Sequence, residues 1–254
     1  MKNPVVIIGI GEMAGVFARG LLRTGYPVYP ITRDMNMEQE AKNIPEPEAV
    51  FVTVAEKDLQ PTLAAIPSPW RNRLVLIQNE LLPRDWLAQQ LKNPTVISVW
   101  FEKKPGQDYK ILIPSPVFGA HASLVNNALE AINIPCRVVG SEEELLFELV
   151  CKNLYILTTN ITGLETGGSV SELWHQHEKL ARLVAGDVMD LQEWLTGTTF
   201  DRENLIQAML VAFRGDPDHQ CMGRSAPARL ERALTIADEA GLTVPKLREI
   251  HSQA

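Results

Sequence analysis

A single lysine inside an otherwise uncharged stretch is the residue whose position most favours catalysis. The segment LVCKNLYILTTNITGL covers residues 149–164, and Lys152 is its only charged residue. At helical spacing, Leu149 and Ile156 lie on the same side as the lysine, so the helix is apolar on most of its circumference. We expect Lys152 to be partly desolvated, which favours release of its proton near neutral pH. The alternative is a lysine whose hydrocarbon stem packs against apolar neighbours while its ammonium stays in water, and the pattern supports this equally well.

Two polar residues lie about two helical turns beyond the lysine. Thr159 is almost in line with Lys152, and Asn160 is a short way round the helix. We therefore predict that both side chains contact a bound ligand. Gly163 is expected to leave room beside them for that ligand. Arg224 is a candidate partner for a substrate carboxylate, although an exposed loop arginine is the better supported interpretation.

The segment IGIGEMAG carries the pattern G-x-G-x-x-A between a predicted buried strand and a predicted helix. This is the context in which such a pattern binds a dinucleotide. The first glycine allows a tight turn, the second lets the pyrophosphate approach the backbone, and the alanine lets the helix approach the strand. The helix N-terminus supplies free N–H groups. A glycine turn with packing roles only is the alternative. The predicted cofactor contacts are Gly9, Gly11, Glu12, Met13 and Ala14.

The end of the second predicted strand indicates which dinucleotide is bound. NAD sites usually place an acidic residue there, whereas this chain has Thr32 and Arg33 in the segment YPITRD. A guanidinium can hold a 2′-phosphate through two parallel hydrogen bonds. We therefore predict NADPH as the cofactor, with Thr32 and Arg33 in contact with it. Asp34 leaves NADH as the alternative.

The third and fourth predicted strands end in polar residues. Ligands in parallel sheets lie at the carboxyl ends of the strands, so these residues are expected beside the nicotinamide. Thr53 and Val54 end the third strand, and Asn79 follows the fourth. We predict that all three contact the cofactor and that Asn79 also contacts the substrate. A turn whose asparagine tolerates unusual backbone angles is the alternative for Asn79.

The order of apolar patterns predicts an α/β fold with two domains. Strand-length apolar runs, two of them over 95–100 and 110–115, alternate with helical patterns up to about residue 140, which indicates a Rossmann-type parallel sheet. Only helical patterns follow, over about 141–164, 170–196, 201–213 and 225–240. We predict a dinucleotide-binding domain over residues 1–140 and an all-helical substrate or catalytic domain over residues 141–254.

Composition excludes several classes of partner. The net charge of −7 argues against nucleic acid or an anionic membrane surface, which require a basic patch. No apolar run is long enough to span a membrane. The three cysteines are widely separated, as expected of reduced thiols in a cytoplasmic protein. His175 and His177 point to different faces of a predicted helix, so no metal site is predicted.

Taken in order, the segments GIGEMA, ITR, LIQNE, ELVCKNLYILTTNITGL and EAGLTVPKL resemble the ketopantoate reductase family. The resemblance extends from Lys2 to about Pro245. Members of that family are NADPH-dependent enzymes that reduce a 2-oxo acid. The resemblance implies that Lys152 is the general acid, that Asn160 helps to hold the substrate, and that Asn79 matches an asparagine of the family.

Three positions depart from the family pattern. The chain has Ile156 where the family has an asparagine, Glu80 where it has a glycine, and Ser225 or Pro227 where it has a glutamate. Losing hydrogen-bonding groups changes which substrate a site accepts. We therefore expect a reductase of a different 2-oxo acid or a related carbonyl compound. The alternatives are a non-catalytic NADP(H)-binding sensor or interaction protein, and an imine reductase. The sequence is compatible with a homodimer without predicting one.

Overall fold

The computed structural model describes residues 2–253. It consists of two compact units, one ending at Glu148 and the other beginning at Leu149. The first is an α/β unit and the second is helical, which confirms the predicted fold class. In the described part of the chain, no helix combines the length and the apolar character needed to cross a bilayer.

The first unit contains a seven-stranded sheet and a separate two-stranded hairpin. The strands are β1 (Val5–Ile8), β2 (Val28–Ile31), β3 (Val50–Val52), β4 (Leu74–Leu76), β5 (Thr95–Ile97), β6 (Phe101–Glu102), β7 (Lys110–Ile111), β8 (Ser115–Phe118) and β9 (Cys136–Val138). The large sheet has the order β2-β1-β3-β4-β5-β8-β9. Every pair in it is parallel except β5 with β8, which is antiparallel. The central strands β1, β3 and β4 are apolar throughout and fully buried, as expected when both faces of a parallel sheet are covered.

Five helices connect these strands: α1 (Glu12–Arg23), α2 (Met37–Asn43), α3 (Leu59–Ala64), α4 (Pro83–Leu87) and α5 (Ala122–Glu130). Helix α1 packs closely on α5. At the crossing, a Cβ atom on Gly20 would lie 2.1 Å from the carbonyl oxygen of Ala128, so only glycine fits. On the buried side of α1, the Phe17 ring packs on Phe51 of β3 with centroids 5.2 Å apart. These contacts hold α1, and therefore its N-terminus, against the sheet.

The second unit is helical, and its first helix starts within the first unit. The helices are α6 (Glu142–Thr166), α7 (Val170–Thr196), α8 (Arg202–Gly215), α9 (Ala226–Ala240) and α10 (Pro245–Gln253). Sequence patterns predicted all of these except α10. Buried Asp187 of α7 anchors α10, because its carboxylate accepts hydrogen bonds from the backbone N–H groups of Lys246 (2.7 Å) and Leu247 (3.0 Å).

The two compact units divide inside α6, between Glu148 and Leu149, and the domain boundary predicted after residue 140 stays a prediction. The first turns of α6 are tied to β9 because Arg137 forms ion pairs with Glu144 (2.7 Å) and Glu148. The N–H of Gly140, and then the Arg137 guanidinium, lower the pKa of the Glu144 carboxyl. The strand pattern therefore ends where α6 begins, and the ion pairs of Arg137 connect the first turns of this helix to β9.

Two predicted strands are each divided in the structure. The run predicted over 95–100 ends as β5 at Ile97, and the chain then enters the hairpin of β6 and β7. The run predicted over 110–115 separates into β7 and β8, with Pro114 between them. Both runs are mostly apolar, so their pattern alone does not show where the backbone leaves one strand for the next.

Candidate functional site

The glycine loop follows β1 and is built on the end of β3. Gly9 has a φ of +89°, which favours glycine, and a Cβ atom there would lie 3.2 Å from the backbone nitrogen of Val54. Thr53 is buried beneath the loop, and its hydroxyl donates to the carbonyl oxygens of Ile8 and Gly9, both at 3.0 Å. The Thr53 side chain therefore supports the loop from below.

The N-terminus of α1 is open. Gly11 occupies the N-cap position, and no side chain caps the helix. A Cβ atom built on Gly11 would meet nothing within 4 Å, so the space above this backbone is free. Ala14 is only 5% exposed and belongs to the core between helix and sheet. Uncapped N–H groups beside open space fit a pyrophosphate, because the helix dipole favours an anion there.

One carboxylate lies in the first turn of this helix. Glu12 is exposed, whereas Met13 beside it is half-buried. The Glu12 carboxylate pairs with the ammonium of Lys103, which follows β6, at 3.0 Å. The pair lines a cleft of about 440 Å³ together with Gly11 and Arg19. A carboxylate here would repel a phosphate, and Lys103 offsets that repulsion.

The residues after β2 are accessible. The Arg33 side chain is 92% exposed, and its guanidinium lies 3.8 Å from the carboxylate of Asp58. Such an exposed pair contributes little, so the guanidinium can turn to another anion at small cost. Thr32 is half-buried, and its N–H donates to the sulfur of Met35 at 3.4 Å.

The ends of β3 and β4 are joined by a buried glutamine. Gln78 donates from Nε2 to the carbonyl oxygens of Val52 (2.7 Å) and Val54 (3.3 Å). Asn79 follows it with an exposed side chain, so it is available to a ligand. Glu80 has a φ of +58°, in the left-handed region that favours glycine. The backbone at this turn therefore keeps the shape that a glycine would adopt more easily.

Lys152 is half-buried on α6. Its ammonium lies 5.6 Å from the centroid of the Tyr155 ring, within the range of a cation–π contact. Leu149 and Ile156 are buried, at 3% and 6% exposed. The lysine is thus neither fully solvated nor fully enclosed, so its role as a proton donor stays a prediction.

Thr159 and Gly163 contact the protein itself at this end of α6. Thr159 is 1% exposed, and its hydroxyl donates to the carbonyl oxygen of Tyr155 at 2.8 Å. Contact of this hydroxyl with a substrate therefore stays a prediction, and while the bond to Tyr155 persists the hydroxyl can act only as an acceptor. At Gly163 a Cβ atom would lie 2.9 Å from the carbonyl carbon of Cys221 and from the nitrogen of Met222. The expectation of ligand space beside Gly163 was wrong, because backbone fills it.

Asn160 is the centre of a polar cluster that also contains Gly223, Ser225 and Arg229. Its Nδ2 donates to the carbonyl oxygen of Ile156 at 2.8 Å. Its Oδ1 accepts from the N–H of Gly223 at 3.3 Å and from Nη1 of Arg229 at 3.2 Å. The same Nη1 donates to the Ser225 hydroxyl at 2.9 Å. A guanidinium therefore contacts Ser225, one of the two positions at which the family resemblance led us to look for an acid.

Sequence reasoning missed Arg229 and considered Arg224 instead. Arg224 is exposed, whereas Arg229 is 8% exposed. One signal was present, because Arg229 shares helical spacing with the apolar positions Ala226 and Ala233 and therefore belongs to the buried face of α9.

Cysteine and histidine side chains could in principle supply a reactive thiol or a metal site. Burial raises the pKa of the Cys221 thiol to about 11, so this cysteine is a neutral thiol at neutral pH. His175 and His177 are both exposed. Among residues 2–253, no group of three or more histidine, cysteine, aspartate or glutamate side chains is arranged to hold a metal ion.

Known proteins match this chain through structure. No family model matches the sequence, and no curated protein matches it either. A PanE/ApbA family ketopantoate reductase from Ralstonia eutropha JMP134 superposes with a TM-score of 0.68 at 16% identity, covering 100% of this chain and 97% of that one. The chain has the fold of ketopantoate reductases.

Two further solved structures share this fold. A dimeric ketopantoate reductase from Staphylococcus aureus gives a TM-score of 0.67 at 17% identity, covering 98% of this chain and 96% of that one. D-mandelate dehydrogenase in complex with NADH gives 0.68 at 13% identity, covering 99% and 97%. The ketopantoate reductase fold therefore extends over almost the whole chain and is shared by a dehydrogenase with a different substrate.

Proposed function

We propose that the protein is an NADPH-dependent reductase of a small 2-oxo acid or a related carbonyl compound. The observation that carries the proposal is the open, uncapped start of α1 at Gly11, in a fold shared with ketopantoate reductases and a dehydrogenase bound to NADH. Ketopantoate is a 2-oxo acid and mandelate is a 2-hydroxy acid. In both compounds the carbon next to the carboxylate carries the reacting oxygen, as a carbonyl in ketopantoate and as a hydroxyl in mandelate.

The cofactor is held mainly by backbone in the proposed complex. Loop residues from Gly9 to Ala14, including Glu12 and Met13, surround the pyrophosphate with N–H groups. Arg33, beside Thr32, holds the 2′-phosphate, which its exposure and weak pairing with Asp58 support. The backbone of Thr53 and Val54 and the side chain of Asn79 contact the nicotinamide half. When bound, NADPH supplies the hydride.

Lys152 is the proposed proton donor. Its ammonium stabilises the negative charge that develops on the carbonyl oxygen and then protonates that oxygen. Its half-buried position supports this role, because a group shielded from water interacts more strongly with a developing charge. Asn79, Thr159 and Asn160 position the substrate.

A second candidate function is a non-catalytic NADP(H)-binding sensor or interaction protein. The Asn160 cluster favours it, since Oδ1 of Asn160 is already bonded to Gly223 and Arg229. Apolar Ile156 stands one helical turn before Asn160 and offers no side-chain hydrogen bond to a ligand. A sensor would bind NADPH with an affinity like that of an enzyme and would turn over no carbonyl compound.

NADPH oxidation over a panel of 2-oxo acids, aldehydes and imines tests the proposal, together with the Lys152→Ala variant. We expect turnover with at least one 2-oxo acid. In the variant, kcat should fall about 10²- to 10⁴-fold, while NADPH affinity measured by fluorescence titration stays unchanged. Lys179→Ala is the control, because Lys179 is an exposed lysine of α7. NADPH binding without any turnover would favour the sensor, and preferential turnover of imines would favour an imine reductase.

We also propose a homodimer, for which the dimeric reductase from Staphylococcus aureus is the support. Sedimentation equilibrium of the purified protein measures the mass directly. A monomer at micromolar concentration would contradict this assignment without affecting the proposed chemistry.

A further inference from the structure

The side-chain oxygen of Asn160 has both of its acceptor positions occupied. The Gly223 N–H lies 3.3 Å from Oδ1 on one side, and Nη1 of Arg229 lies 3.2 Å from it on another. An amide oxygen has two lone pairs, and both partners are obligate donors. The oxygen must therefore face Arg229 and Gly223, and the NH₂ group must face away from them. The chemistry of the contacts fixes which way this amide points.

The nitrogen of the same amide has one hydrogen to offer. One N–H donates to the carbonyl oxygen of Ile156 at 2.8 Å. The second N–H has no acceptor among the contacts of Asn160 within the described residues. Asn160 can thus give a ligand one hydrogen bond as a donor, and it has no acceptor left to offer. The ligand atom that it recognises is an oxygen with a lone pair.

Arg229 and Gly223 are suited to hold this arrangement. Arg229 is 8% exposed, and Ser225 fixes its guanidinium through the 2.9 Å bond from Nη1. At Gly223 a Cβ atom would lie 3.3 Å from the amide oxygen of Asn160, so glycine lets the backbone approach. A cationic donor on the amide oxygen also polarises the amide, which strengthens its remaining N–H as a donor. The strengthened N–H favours a charged acceptor.

We propose that Arg229 is a positioning residue for substrate specificity. It orients the Asn160 amide so that the remaining N–H binds a carboxylate oxygen of the substrate. This inference rests on the proposed reductase function and adds to it that the substrate class is a 2-oxo carboxylate, selected over its ester or the corresponding aldehyde.

Steady-state kinetics with a 2-oxo acid and its methyl ester test the role. Arg229→Met should raise KM for the acid about 10- to 100-fold, the range for losing one hydrogen bond to a charged group. The methyl ester and NADPH affinity should change little, and Arg229→Lys should recover part of the loss. Arg214→Met is the matched control, because Arg214 is an exposed arginine of α8. A merely structural role would affect acid and ester alike.

A double-mutant cycle decides whether Arg229 acts through Asn160. Asn160→Ala alone should raise KM for the acid, and adding Arg229→Met should raise it little further, because the amide to be oriented is gone. Full additivity of the two changes would overturn the inference while leaving the reductase function in place. An unchanged KM in Arg229→Met would overturn it too.

Two outcomes separate this inference from the proposed function. If the wild-type protein turns over no carbonyl compound, the reductase function and the role of Arg229 fail together. If Arg229→Met does not fold, a crystal structure of Arg229→Lys with NADPH and the oxo acid takes its place. An Asn160 amide that keeps its orientation without a hydrogen bond from position 229, combined with an unchanged KM for the acid, would then exclude positioning by Arg229.

Discussion

The glycine loop and the Asn160 cluster are assembled in different ways. The loop is backbone from a few consecutive residues, supported by β1 and β3 of the first unit. The Asn160 cluster is made of side chains, and its key bond joins residues 69 positions apart. A loop of the first kind has a local sequence signature, whereas a cluster of the second kind depends on how helices pack. We therefore expect the glycine loop to be disturbed mainly by mutations that disrupt the packing of α1 and the strands beneath it. The Asn160 cluster should be disturbed by the loss of a single hydrogen bond or by a small shift of one segment.

The largest effect is expected where α1 crosses α5. Gly20→Ala would place a methyl group 2.1 Å from the Ala128 carbonyl oxygen. We expect the free energy of unfolding, measured by urea denaturation, to fall by at least about 3 kcal/mol. Gly15→Ala on the same helix is the control, because its Cβ would meet nothing within 4 Å and alanine favours the helix by about 1 kcal/mol. Equal responses would mean that α1 does not depend on this crossing.

The next effect concerns cofactor choice in the same region. Arg33→Ser removes the proposed partner of the 2′-phosphate, so NADPH affinity should fall about 10- to 100-fold. NADH affinity should stay the same, because NADH lacks that phosphate. Fluorescence titration with both cofactors measures the ratio. A parallel loss of both affinities would show that Arg33 supports the fold of the loop and does not select the phosphate.

A smaller loss is expected in the second region. Gly163→Ala forces the Cys221–Met222 backbone away from α6, and we expect a net loss of about 1 kcal/mol after the gain in helix propensity. That segment leads directly to Gly223, so KM for the oxo acid should rise as well. Gly186→Ala on α7 is the control, because its Cβ would meet nothing within 4 Å. A rise in KM without any change in the free energy of unfolding would show that the Asn160 cluster, unlike the glycine loop, depends on hydrogen-bond geometry more than on packing.

The smallest effects are gains at two left-handed backbone positions, one after β4 and one after α4. Glu80 has a φ of +58° and Gln90 has a φ of +56°, and both conformations cost a side chain about 1 kcal/mol. Gln90→Gly should therefore stabilise the protein by about 0.5–1 kcal/mol in urea denaturation. Glu80→Gly should gain less than this, because Glu80 also makes side-chain interactions that glycine would lose. A larger gain at Glu80 than at Gln90 would contradict this account.

Sequence patterns predicted most of the fold and the position of the glycine loop between β1 and α1. Continuous apolar strands, helical spacing and the glycine pattern are local features, and each can be recognised from about ten consecutive residues. The hairpin of β6 and β7 escaped prediction because a mostly apolar run does not show where the chain turns.

The candidate substrate site was predicted less well, for a related reason. The sequence shows that Thr159 lies near Lys152 on a helix, but it does not show the rotamer that turns the hydroxyl to the Tyr155 carbonyl. It shows that Gly163 lacks a side chain, but not that distant backbone takes up the space. Arg229 escaped because its importance comes from meeting Asn160. Such contacts are made only once α6 and α9 have packed.

The ion pair between Glu12 and Lys103 has a consequence for how tightly the cofactor is held. An anion that arrives at α1 meets a cation that already has a partner, so one ionic contact is exchanged for another. The net gain in attraction at α1 is therefore small, and we expect this contact to add little to the salt dependence of the proposed NADPH binding. A chain with glutamine at position 12 would leave that ammonium uncompensated, and its hold on the coenzyme should become tighter and more sensitive to salt.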